Sequence, residues 1–266
     1  MDNLLPNILG NISSYLMKHK AVASEELMWK IDQEIDSLSE DDKKNLERLL
    51  EGDVKQMIFD GITGNVRLSV FSPDMHVQLN YLGEVFYTPP THKYQPDELE
   101  KGFKRLANLR FSMNSQEIEN ATKDLMYRAG YEVSEVQPEI PGVKKTFKTI
   151  KNNNELQLFI LPSIIFVPEI LEALNGLAVE HIVVVPTENS PAPFVNFIRE
   201  NMDKVKENDK MMIFVANPSN CTVTPFLGVP KDKEIWESLK DPARCLQATQ
   251  NWMKGAVRSR VLDEDF

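Results

Sequence analysis

Four histidines, two cysteines and a cluster of lysines carry the most distinctive chemistry in this chain. His19, His76, His92 and His181 are scattered, and none stands three or four residues from another. The paired spacing by which one helix face grips zinc is therefore missing, and HExxH does not occur. His181 opens a β-branched apolar run, where a hydrogen-bonded structural histidine is expected. Cys221 follows Asn217-Pro218-Ser219-Asn220 where a strand should end, a place that catalytic loops often occupy. A nucleophilic thiol needs a base and positive surroundings. No histidine is close to Cys221 in sequence, so a structural thiol is expected. With Cys245 as the only other cysteine, a disulfide framework is excluded and a zinc site of cysteine pairs is disfavoured. There is no GxGxxG, no GxxxxGK[ST] and no GxSxG.

Lys144, Lys145, Lys148 and Lys151 fall in a stretch that alternates as Val143, Lys145, Phe147, Thr149 and Lys151. Strand geometry puts Lys145 and Lys151 on one face and Lys144 and Lys148 on the other. Lysines so placed either protect an edge strand from unwanted pairing or form a phosphate-binding strip. Further basic residues gather at Lys101, Lys104, Arg105 and Arg110, and at Arg258 and Arg260. Phe103, Phe111 and Phe147 each sit in an apolar pattern and read as core, not as stacking platforms for bases.

The elements that must position these residues follow from periodicity and punctuation. Residues 4–18 place Leu5, Ile8, Leu9, Ile12, Tyr15 and Leu16 on one helical face. Ser24-Glu25-Glu26 opens a second helix, and Ser39-Glu40-Asp41-Asp42 a third. Residues 54–59 read as a further turn. Residues 66–71 and 77–87 read as a hairpin, with Gly83 a weak point in its second strand. Helices followed by a hairpin is the order of a winged-helix-like unit. Residues 87–96, with three prolines, mark a boundary between a mainly helical domain at 1–88 and a second domain at 96–266. In the second domain, helices are predicted from Pro96 to about Leu109 and over 115–129, capped by Ser115 and ended by Gly130. A strand at 131–136 precedes a hairpin over 143–161 that turns at Asn152-Asn153-Asn154. Helices at 167–177 and 191–205 then alternate with buried strands at 181–185 and 211–215. Residues 225–230 read as a surface turn, and helices at 235–239 and 244–253 close the chain. The fold class is α+β: a helical N-terminal domain followed by a three-layer α/β domain with a mixed central sheet.

From Ser115 to about residue 215, the order of helix, strand, hairpin, helix and strand resembles the restriction-endonuclease-like nucleases, the PD-(D/E)xK superfamily. The resemblance implies a Pro-Asp pair and a later acid–x–Lys triplet that hold a divalent cation and orient water. The matching positions are Pro138-Glu139 and Glu155-Leu156-Gln157, with Glu117 or Glu119 as an optional extra acid. Under that resemblance Glu139 and Glu155 would be metal ligands, binding Mg²⁺ or Mn²⁺, and Gln157 would stand in the lysine's place. Two departures weaken the match: Glu139 replaces Asp, and Gln157 can carry neither a proton nor a positive charge.

The 266 residues are 42% hydrophobic and 26% charged, which is globular composition, not that of a disordered chain. A net charge of −10 opposes bulk coating of nucleic acid but permits a local basic groove. No run approaches a membrane span and the first twenty residues lack a signal-peptide pattern, so the expected setting is cytoplasmic with no membrane contact. The first reading is a non-catalytic binding or assembly module for a protein or nucleic-acid partner, with no cofactor expected. One alternative is a metal-dependent nuclease using Glu139 and Glu155. Another is a small-ligand enzyme with its site where strands 181–185 and 211–215 end, near residues 186–190 and 217–222.

Overall fold

The computed structural model describes residues 4–50, 52–64, 77–89 and 95–243. The predicted strand at 66–71, the predicted helix at 244–253, most of the proline-rich segment, and His76, His92, Cys245, Arg258 and Arg260 lie outside them. The chain divides into two compact units, Met1–Leu109 and Arg110–Phe266. The division falls within a helix and not in the proline-rich segment.

In the first unit, α1 (Leu4–His19) leads into the two-residue β1 (Val22–Ala23), then α2 (Ser24–Asp36), α3 (Glu40–Leu50) and α4 (Val54–Thr63). The apolar stripe of α1 is buried as its spacing requires: Leu5, Ile8, Leu9, Ile12 and Leu16 meet Leu27, Ile31, Leu46, Ile58 and Ile62 in one core. The turn expected at 54–59 is a full helix because Asp53 caps it, accepting from the backbone N–H groups of Lys55 and Gln56. The hairpin is β2 (Val77–Tyr81) with β3 (Glu84–Thr88). Gly83, expected to weaken a strand, instead makes the turn: Leu82 and Gly83 have φ of 51° and 82°, the left-handed pair that a two-residue hairpin needs. The sheet order is β1-β3-β2, antiparallel throughout.

The helix α5 (Pro96–Arg128) runs unbroken for 33 residues, where sequence predicts two helices. Asn108 and Asn114 donate their side-chain amides to the carbonyls of Lys104 and Arg110 one turn back, so these polar groups bond within the helix and do not end it. It stops where predicted: Gly130 takes φ +81°, and Tyr131 N–H bonds Met126 O at 2.9 Å.

The second unit carries a six-stranded sheet in the order β4 (Glu132–Val136), β5 (Lys145–Lys151), β6 (Asn154–Ile160), β7 (Glu180–Pro186), β8 (Met211–Asn217) and β9 (Thr222–Leu227). The strands β4, β5 and β6 form an antiparallel meander; β6, β7 and β8 are parallel; β9 returns antiparallel. A short 3-10 helix (Ile164–Phe166) and α6 (Val167–Asn175) link β6 to β7, and α7 (Ala192–Lys206) links β7 to β8. Right-handed crossovers put both links on one face. On the other face Ile118, Ala121, Leu125 and Met126 of α5 pack on Leu158, Ile182, Val184 and Phe214, together with Ile235 of α8 (Lys233–Glu237). This is the expected three-layer arrangement. One element departs from expectation: Pro225, read as a surface turn, lies inside β9 opposite Phe214, beside a register shift at Ile213/Phe214. An edge strand at an irregularity is where a proline is tolerated. No described helix is long and apolar enough to cross a membrane.

Candidate functional site

The residues predicted to hold a metal lie toward opposite ends of one ladder. Glu155, the second residue of β6, stands opposite Ile150, whereas Glu139 lies in the connection before β5, toward the far end of the same ladder, where Lys144 N–H bonds Ile160 O. From Glu155 to Ile160 is five ladder positions, about 17 Å at a rise of roughly 3.4 Å per residue. A shared divalent ion needs ligand oxygens within about 2–2.6 Å of itself. Glu155 is already engaged: Lys148 Nζ lies 2.7 Å from its Oε2, and Gln157 Nε2 donates to its Oε1 at 3.2 Å. The Lys148 hydrogen bond, helped by Gln157, holds the Glu155 carboxyl below the usual range. So Glu155 and Gln157 are neighbours, whereas Glu139 belongs to the connection at the other end of the ladder. Of the optional acids, Glu117 is exposed, and the buried Glu119 lies 3.5 Å from Lys123 and 3.4 Å from Lys145. Among the described residues no group of three or more His, Cys, Asp or Glu is placed to hold a metal ion.

The three lysines within β5 divide between the two sheet faces, Lys145 and Lys151 on one and Lys148 on the other, while Lys144 lies just before the strand, and they do not form a strip. On the α5 face, Lys145 bridges Glu135 at 2.8 Å and Glu119. Lys151 bridges Asp232 at 2.6 Å and Glu234 at 2.5 Å, over the ring of Tyr131, whose hydroxyl donates to Asp232 at 2.9 Å. Burial alone would lower the Lys151 pKa, but the bonds to Asp232 and Glu234 outweigh it and raise it. On the opposite face Lys148 serves Glu155. Lys144 is exposed. The physical reason is local: each of the three paired lysines has an acid within reach on a neighbouring strand, helix or loop, and sequence spacing alone does not reveal it.

His181 is fully buried, and its ring lies 3.1 Å by Nδ1 from Val179 O and 3.4 Å by Nε2 from Asn208 Nδ2. With Nδ1 donating, both ring nitrogens are satisfied in the neutral form, and desolvation holds its pKa below the usual value. Cys221 is exposed in the turn between β8 and β9, with φ of 50° and Sγ 3.8 Å from Pro218 O.

A different site stands at the carboxyl ends of the parallel strands. A cleft of about 260 Å³ opens there, lined by Thr187, Glu188 and Ser190 after β7, by Phe194 of α7, by Val215 of β8, and by Thr224 and Phe226 of β9. The rings of Phe194 and Phe226 meet edge to face at 5.1 Å. Ser190 Oγ caps the start of α7 by accepting from Ala192 N–H at 3.1 Å. Glu188 anchors the wall. Its side chain is 3% exposed; Ser163 Oγ donates to Oε1 at 2.5 Å, and Arg110 lies 3.6 Å from Oε2. Ser163, itself fully buried, also caps the 3-10 helix through Ile165 N–H. Ser163 follows β6 and Glu188 follows β7, so two adjacent parallel strands deliver them to one edge. Sequence marked residues 186–190 as a candidate. It gave no sign that Ser163 and Arg110 join them, because the three come from separate segments and match no motif. Of residues 217–222 none lines the cleft; β9 contributes Thr224 and Phe226 instead, because it continues past the position where a turn was expected.

A family model described as the C-terminal domain of DUF6834, a domain of unknown function, matches residues 164–241. The matched stretch runs from the 3-10 helix through α8 and contains most of the cleft wall. No curated protein matches the chain.

Proposed function

We propose that the chain is a non-catalytic binding or assembly module acting in the cytoplasm on a protein partner, and that its α/β unit is a relative of the restriction-endonuclease-like nucleases lacking their metal site. The order of α5, the meander β4-β5-β6, α6 and β7 supports that kinship. The observation that carries the non-catalytic reading is that the motif carboxylate and the hairpin lysines are already engaged within the unit: Glu155 with Lys148 and Gln157, Lys145 with Glu119 and Glu135, and Lys151 with Asp232 and Glu234. Carboxylates neutralised in this way are poor ligands for a hard cation, and lysines so held are poor contacts for phosphate. That favours a protein over a nucleic acid. The test is incubation with single- and double-stranded DNA and RNA in Mn²⁺. The reading expects intact substrate; cleavage that Glu155→Gln abolishes would establish the nuclease instead.

A second reading, a small-ligand site in the cleft at the ends of β7 and β8, is favoured by its position. Ligands of open α/β sheets bind beyond strand carboxyl ends. It expects backbone amide shifts confined to residues 187–194 and 223–227 when small aromatic fragments are titrated. Scattered shifts, or none, would remove it.

A further inference from the structure

The two edges of the six-stranded sheet are built differently. At one edge, β9 carries Pro225 and lies beside a register shift. Both are devices that stop a further strand from adding. At the other edge, β4 pairs with β5 through five consecutive positions, Glu132↔Ile150 to Val136↔Thr146, with no irregularity. It contains neither proline nor glycine, and no described strand pairs with its outer side. Glu132, Ser134, Glu135 and Val136 are exposed, as is Ile150 on the neighbouring strand.

The sequence of β4, Glu-Val-Ser-Glu-Val, limits what a symmetric partner strand can do. Two copies related by a two-fold axis normal to the sheet must pair antiparallel, with like faces together. The register that overlaps all five residues centres on Ser134. It sets Glu132 against Val136 of the second copy, Val133 against Glu135, and Ser134 against itself. No like charges then stand directly opposite. Sliding by one allowed step in one direction sets Glu135 against itself and shortens the overlap. A step the other way sets Val133 against itself, with Glu132 against Ser134 of the second copy, and also loses overlap. A second step in that direction sets Glu132 against itself.

We infer that the outer edge of β4 is a self-association surface, on which a second copy of this chain adds its own β4 antiparallel about Ser134 to continue the sheet from six strands to twelve. The inference does not depend on the reading of the cleft or of the nuclease-like motif. Five-residue edges bury little area, well under the roughly 1,200 Å² of a stable specific interface, so the dimer is weak and concentration-dependent.

Sedimentation velocity of the full chain, from low micromolar to near-millimolar protein, tests this. Wild type is expected to pass from monomer to dimer across that range. Val136→Glu sets a carboxylate opposite Glu132 of the second copy, twice by symmetry, and is expected to weaken the dimer about tenfold. Adding Glu132→Lys to that variant turns both repulsions into attractions and restores the dimer. Both positions are exposed, so folding is retained, and circular dichroism checks it. A monomer at every concentration overturns the inference. So does a dimer that Val136→Glu leaves unchanged, or one that the double variant fails to restore, because either result places the contact elsewhere.

Discussion

Glu188 shows how much a single side chain can hold when it lies where several segments end. Its carboxylate ties Ser163 beyond β6 and Arg110 of α5 to the loop after β7, with its side chain only 3% exposed. Removing one member of a buried charge pair leaves the other desolvated and costs about 3–5 kcal/mol. Glu188→Ala is therefore expected to lower unfolding stability by about 3 kcal/mol, read from the midpoint shift in urea. Glu188→Gln keeps an acceptor for Ser163 and should cost clearly less. Equal losses from the two variants would show that the negative charge itself, and not the volume or the acceptor that Gln retains, sets the cost there. By contrast Glu155 and Lys148 form a partly exposed pair, and replacing either should change stability little.

Among the elements, the clearest fits between sequence and structure are those with strong periodicity and clear ends. The apolar stripe of α1, the strands β7 and β8, the turn after β5 and the glycine stop at Gly130 all follow from local pattern. The misreadings share a cause: a residue that discourages an element in isolation is accommodated by its neighbours. Gly83 became the turn of a hairpin, and Pro225 found an edge position at a register shift. Ser115, a cap by type, lies inside a helix that continues past it. The candidate site was less legible still, since pairing among Glu119, Glu135 and Lys145 depends on which elements lie side by side. Gly228 shows the same dependence on tertiary contacts. It follows β9 with φ of +80°, and a Cβ there would lie 2.9 Å from Met212 Cγ and 3.0 Å from Met211 O. Gly228→Ala thus combines backbone strain with a clash and is expected to destabilise by about 1–3 kcal/mol in urea unfolding. Gly142→Ala is the control: it shares a positive φ but meets nothing within 4 Å, so only the strain remains.

For the whole molecule, charge and its local pairing point the same way. The chain carries a net charge of −10, and three of the four lysines best placed by sequence to contact phosphate are held by carboxylates of the same unit. Freeing Lys145, Lys148 and Lys151 for phosphate would mean breaking these internal contacts, and the acids left behind would repel the ligand. Fluorescence anisotropy of labelled single- and double-stranded DNA and RNA, titrated with the full chain at low salt and again across a salt series, tests this most directly. The account predicts no saturable binding even at low salt. Binding that weakens steeply as salt rises would show that phosphate contacts form in spite of the internal pairs, and would contradict the proposal that this chain acts on a protein partner.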